Sequence, residues 1–355
     1  MTSFDPSNVD LDSTSQESVL CYFALSKNDY NGHLEARISA IFVILLTSTS
    51  CTLFPVIAKR APGIRIPYHA YLIARYFGTG VIVATAFIHL LDPAYSSIGP
   101  NSCIGASGHW GDYSWCAAIV LISVVTTFIL DLGAEVYVEH KYGLQRNDGA
   151  TETFLTGSCG QDPGHIPQST EAATSSRKHA SVHSGVASVS SERAFRQDIA
   201  AFLILEFGII FHSVIVGLNL GVTGEEFTTL YPVLVFHQAF EGLGLGARIS
   251  VLSFGSRRWL PWTLCLLYGL TTPLSIAIGL GVRTSYNPGS KTAMIVQGVL
   301  DAISAGILIY SGLVELLAKD FLFDPHRTKK KSDLFMMVGC MLLGAGIMAL
   351  LGKWA

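Results

Sequence analysis

Charge is the scarcest commodity in this 355-residue chain: only 14% is Asp, Glu, Lys or Arg, where a soluble domain carries about a quarter. Half of the residues are hydrophobic and the mean hydropathy is +0.45, which excludes an ordinary soluble globule and makes a bilayer the expected solvent. The net charge of −3 is too small to mark a nucleic-acid or acidic partner. Seven cysteines are scattered without a CxxC pair, so neither a zinc finger nor a thioredoxin motif is available. No GxxxxGK[ST] loop or other nucleotide motif occurs, which leaves ATP-driven chemistry without support. HExxH is also missing, and with it the signature of an intramembrane metalloprotease. The polar, acidic first 35 residues lack an apolar core segment, so no cleavable signal peptide is expected and the first membrane helix is read as the signal.

Long apolar runs are what the chain has instead. Eight stretches approach or exceed the roughly 20 residues that cross a bilayer: 36–58, 69–92, 115–138, 198–221, 229–252, 259–282, 292–317 and 333–353, called spans 1 to 8. The expected fold is therefore an all-α polytopic membrane protein with eight transmembrane helices. Four regions follow: an extracellular tail over 1–35, spans 1–3 over 36–138, a Ser/Thr/Gly-rich disordered loop over 139–197, and spans 4–8 over 198–355. Charge orients the spans. The 1–2, 3–4, 5–6 and 7–8 connections hold seventeen Lys and Arg, the opposite side five, and Arg75 lies inside span 2. The positive-inside rule puts both termini outside and the long loop in the cytosol. On that orientation Cys103 and Cys116 share an extracellular connection, where a disulfide and two free thiols are equally open. His140, His165, His179 and His183 in the loop read as parts of a solvated linker rather than a zinc sensor.

Several polar residues are out of place in these apolar runs. His237 and Glu241 lie four apart in span 5 (HQAFEGLGLG) and share a helix face. His212 lies in span 4 (HSVIVGLNLG), and the antiparallel neighbour brings it to the same depth. Structural hydrogen bonding would explain one buried histidine. Two imidazoles and a carboxylate at matched depth point to function, because ionisable groups in lipid are expensive. These are zinc ligands in type, and three protein donors leave a coordination position open. Ser213 and Gln238 can add weak oxygen ligands or supporting hydrogen bonds. His89 and Asp92 close span 2 (TAFIHLLDPAY), three apart on one α-helical face, where a cation arriving from outside would first meet the protein; an ordinary interfacial role is equally open. Glu206, Asp131, Asp301 and Glu315 are read as packing or gating groups.

Together, HSVIVGLNLG, HQAFEGLGLG, TAFIHLLDPA and LIYSGLVELLAKDF resemble the ZIP (Zrt-, Irt-like) family of metal transporters, in its fungal and plant plasma-membrane branch. The C-terminal LGAGIMALLGKWA looks like the fungal members. The resemblance implies metal uptake into the cytosol at the plasma membrane, with spans 1, 4, 5 and 6 as a mobile bundle sliding against a scaffold of spans 2, 3, 7 and 8. It implies a main metal site at His212, His237 and Glu241, with Ser213 and Gln238 at a secondary one. Other branches carry a carboxylate four residues after the span 4 histidine; here that position is Val216, so one main site is expected rather than a two-metal centre.

A divalent ion entering through an inside-negative potential of about 100 mV gains roughly 4.6 kcal/mol, so no energised pump is required. The expectation is a zinc importer with no cofactor, zinc being its substrate, and with iron(II) or manganese as the alternative metal. A metal-sensing receptor is the remaining rival. The expected partners are the lipid bilayer and divalent metal ions, with a homodimer allowed and no nucleic acid.

Overall fold

The structure is a computed structural model that describes residues 30–60, 67–106, 110–142, 179–255, 257–323 and 330–354, plus isolated positions such as Cys21. Every span of the sequence reading is a helix, and no strand occurs among the described residues. Span 1 is Leu34–Arg60 and span 3 is Trp115–Tyr142. Spans 5, 6 and 8 are Phe227–Val251, Leu260–Val282 and Lys331–Leu351. Span 4 belongs to the helix His179–Val222, which starts well before residue 198, within the stretch read as loop. Proline-free, Ala- and Val-containing sequence ahead of span 4 gives the helix no reason to stop earlier. Residues 143–178 of that loop lie outside the described residues.

Spans 2 and 7 are compound. Span 2 is α-helical over Tyr68–Ala84, π-helical over Thr85–Leu91 and α-helical again over Asp92–Ile98. Span 7 is α-helical over Lys291–Tyr310 and π-helical over Ser311–Phe323. π-Turns are rare and concentrate at functional sites. Pro55, Pro232 and Pro273 lie inside spans 1, 5 and 6, as membrane helices tolerate when neighbours satisfy the freed carbonyls.

Seven of the eight helices are long and apolar enough to cross a membrane. The eighth is span 5, whose 25 residues suffice in length. Its hydropathy is diluted by His237, Gln238, Glu241 and three glycines. Two sets of cores organise the helices. One joins Ala40 and Ile44 of span 1, Leu220 of span 4, Leu234 of span 5 and Ile276 and Leu280 of span 6. The others join spans 2, 3 and 7 through Ala94, Ile98, Cys116 and Ala302, and spans 2 and 8 through Leu72, Tyr76 and Met337. A further core joins Val81 and Ala84 of span 2 to Met348 of span 8, with Phe77 of span 2 and Phe240 of span 5 packed against it, so the two groups also meet. Leu130–Ala200 form a separate compact unit made of the end of Trp115–Tyr142 and the start of His179–Val222.

Two pairings appear only in the structure. Cys103 is bonded to Cys21, not to Cys116. Cys116 is a buried free thiol packed with Ala94, Ile98 and Ile104, turned into the core by the first turn of span 3. Arg75, a stray charge in the sequence, is held by Asp320 of span 7, with Nη2 at 2.6 Å and Nε at 3.2 Å from the carboxylate. Arg248 of span 5 approaches the same carboxylate at 3.8 Å.

Candidate metal centre

Span 4 and span 5 face each other through their histidines. His212 and His237 are each 2% exposed, and their Nε2 atoms are 3.3 Å apart. Two nitrogens bound to one zinc at about 2.0–2.1 Å and a tetrahedral angle would be separated by about 3.3 Å. The same separation is that of an N–H···N hydrogen bond between two neutral imidazoles, so the spacing fits the paired rings and zinc ligation alike. Glu241, one turn further along span 5 and wholly buried, has Oε2 at 3.7 Å from His237 Nε2. That leg is a few tenths of an ångström too open. Accordingly, no three His, Cys, Asp or Glu among the described residues form a finished cage.

The surroundings are polar but incompletely paired. His212 Nδ1, Ser213 Oγ, Gln238 Nε2 and Glu241 Oε1 are buried atoms without a protein hydrogen-bond partner. Polar atoms at membrane depth are costly unless something satisfies them, and these four lie on spans 4 and 5 beside the imidazole pair. Ser213 and Gln238 are fully buried beside the main ligands.

The other predicted pair divides. His89 is only 8% exposed. Its ring lies edge-on to His237, centroids 4.9 Å apart, and its Nε2 is 3.1 Å from the Met348 carbonyl of span 8. A carbonyl can only accept, so Nε2 carries the proton and Nδ1 keeps the lone pair in neutral His89. Asp92 is exposed. The shared face inferred for them assumed an α-helix, whereas Thr85–Leu91 is π-helical, with the Asp92 N–H reaching back to Phe87 O. Each residue of the wider turn rotates less, so a spacing of three no longer aligns two side chains. His89 is part of the wall of the centre, and Asp92 stands apart from it.

Tyr268 of span 6 escaped the sequence reading. Its hydroxyl is 3.1 Å from Gln238 Oε1 and 3.1 Å from Glu241 Oε2. Ser48 of span 1 adds a 3.4 Å contact to Gln238 Oε1. Neither residue is charged or of a usual metal-ligand type, and a tyrosine in an apolar helix has no periodic signature, so only tertiary proximity reveals them. Glu206 is also buried, six residues before His212, with Oε2 unpartnered.

Among the described residues, eight apolar helices, with a buried imidazole–carboxylate cluster between spans 4 and 5, define a multi-pass membrane protein. Residues 34–352 match the family described as ZIP Zinc transporter, and the chain belongs to that family. It is 52% identical to zinc-regulated transporter 1 of Saccharomyces cerevisiae, over 99% of this chain and 97% of that one. It is 42% identical to zinc-regulated transporter 1 of Schizosaccharomyces pombe, over 97% and 91% respectively. Zinc transporter 3 of Arabidopsis thaliana is 34% identical over 91% of this chain and 86% of its own length. ZIP zinc transporters are membrane transport proteins, not enzymes.

Proposed function

We propose that the protein imports zinc from outside the cell into the cytosol across the plasma membrane, by alternating access through His212, His237 and Glu241. The observation that carries this reading is the 3.3 Å separation of the two buried imidazole nitrogens, the spacing a tetrahedral zinc imposes. Ser213 and Gln238 act as weaker oxygen donors or hold the ion's remaining water. His89 braces the centre from span 2, and Asp92 is the outer carboxylate that an arriving ion meets. Zinc is cargo here, and no resident cofactor takes part.

Both termini are outside and the 139–197 loop is cytosolic. The charge bias of the connections supports this, and so does the Cys21–Cys103 disulfide, which belongs on the oxidising side. The bundle of spans 1, 4, 5 and 6 carries the ligands and moves against spans 2, 3, 7 and 8 across a contact that includes Gly78 with Gly244 and Phe77 with Phe240.

The test is radioactive zinc accumulation in a zinc-uptake-deficient cell, with iron and manganese in competition. His237→Ala and Glu241→Ala are expected to abolish accumulation while surface abundance is unchanged. Normal zinc uptake by both variants would sink the site assignment.

A further inference from the structure

The Tyr268 hydroxyl sits between two oxygen acceptors, Glu241 Oε2 and Gln238 Oε1, each 3.1 Å away. A phenol has one proton and donates to one of them at a time. The carboxylate wins, because a hydrogen bond to a charged acceptor is about twice as strong as one to an amide carbonyl. The Ser48 hydroxyl remains as donor to Gln238 Oε1. Glu241 is left with one oxygen engaged and the other, Oε1, without a protein partner.

Packing prevents Tyr268 from following the carboxylate if it rotates. The ring is 1% exposed and lies against the backbone of span 5: a Cβ at Gly242 would come within 3.3 Å of Tyr268 Cε1 and 2.7 Å of Thr52 Oγ1. Span 6 also shares its core with spans 1, 4 and 5. The phenol therefore travels with the metal ligands, and its restraint persists when that bundle moves.

We propose that Tyr268 is a specificity-determining positioning residue that holds Glu241 to one-oxygen ligation. Two imidazoles and a single carboxylate oxygen suit four-coordinate zinc. Manganese(II) prefers more oxygen ligands in an octahedral shell, and a carboxylate whose rotation the phenol restrains, with Oε2 set toward His237, is poorly placed to turn both oxygens to one ion. The inference rests on His212, His237 and Glu241 being the transport site.

The experiment uses the full chain in a zinc-uptake-deficient cell, measuring zinc and manganese uptake per surface copy for wild type, Tyr268→Phe, Tyr268→Gln and His237→Ala. Tyr268→Phe keeps the ring and removes the proton. It is expected to raise the zinc KM and to lower the zinc-to-manganese preference about tenfold, the scale of one hydrogen bond to a charged group. Tyr268→Gln restores an N–H donor and is expected to keep a preference near wild type. If Tyr268→Phe fails to reach the surface, Tyr268→Met against Tyr268→Gln gives the same contrast of no donor with donor. An inactive His237→Ala together with an unchanged preference in the donor-less variant overturns the role of Tyr268 alone, even if zinc affinity falls. Uptake retained by His237→Ala overturns the site reading, and this inference with it.

Discussion

Arg37 is wholly buried in the first turn of span 1, and replacing it with methionine tests how the outer end of the span 1/4/5/6 bundle is held. Its Nε donates to the Gly32 carbonyl at 2.9 Å, and its Nη1 to the Leu220 carbonyl at 2.9 Å and the Gly221 carbonyl at 3.2 Å. Nη2 donates to the Thr223 carbonyl and, at 3.1 Å, to Asn31 Oδ1. The guanidinium also stacks over Phe227 at 4.4 Å and Tyr30 at 4.7 Å. Leu220 and Gly221 close the span 4 helix, where carbonyls lack intrahelical partners and the helix dipole is negative. One cation therefore caps span 4 and ties it to span 1 and the start of span 5.

Methionine fills similar volume and donates nothing. The three carbonyls at the outer end of span 4, Leu220, Gly221 and Thr223, lose their partner at about 1 kcal/mol each, the low end for orphaned groups. Lost cation–π contacts add about 0.5–1 kcal/mol, for a total near 3–4 kcal/mol. Arg37→Lys keeps the charge but not the planar fork and should recover less than half of this loss. Fluorescence-detected size exclusion after heating reads the order directly: wild type most stable, Lys intermediate, Met least. Zinc uptake per surface copy is expected to fall in the same order, since span 4 carries His212. A methionine variant as heat-stable as wild type would refute the reasoning.

Three further outcomes follow from the packing and the ligand chemistry. Gly244→Ala puts a Cβ 2.7 Å from the Cα of Gly78, a backbone contact between spans 2 and 5 that cannot yield cheaply; uptake should drop sharply while surface abundance falls less, and normal uptake would contradict the close contact. Asp320→Asn leaves Arg75 and Arg248 without their shared carboxylate, which should destabilise the fold by about 2–3 kcal/mol, below the figure for a fully buried pair because both arginines keep some solvent; a melting curve like wild type would argue against it. Acidification should inhibit zinc uptake, because imidazoles ligate only when neutral and a proton competes with the ion. Initial rates measured across mildly acidic pH at fixed membrane potential check this, and faster uptake in acid would oppose imidazole ligation.

Much of the centre was legible in the sequence because lipid makes polar residues conspicuous. His212, His237 and Glu241 stood out against apolar neighbours, and helical spacing alone put His237 and Glu241 on one face. The shared face of His89 and Asp92 rests on an α-helical period, whereas the backbone there is π-helical, which no local composition announces. Tyr268 and Ser48 carried no signal, since neither is charged and each reaches the site from a different helix. The partner of Cys103 was equally hidden, because Cys116 is near in sequence and Cys21 near only in space.

The sequence by itself determined the solvent, the spans, their helical state and the polar residues set within them. Each of those follows from local composition: apolar length sets the spans, and a backbone in lipid must satisfy itself as a helix. Only the tertiary structure decided which helices share a core, that the imidazole nitrogens stand 3.3 Å apart, and that a phenol from span 6 reaches the Glu241 carboxylate. Those are contacts between residues far apart in the chain. No local pattern encodes them, because they depend on how closely glycine-lined helices approach and on where a regular turn widens.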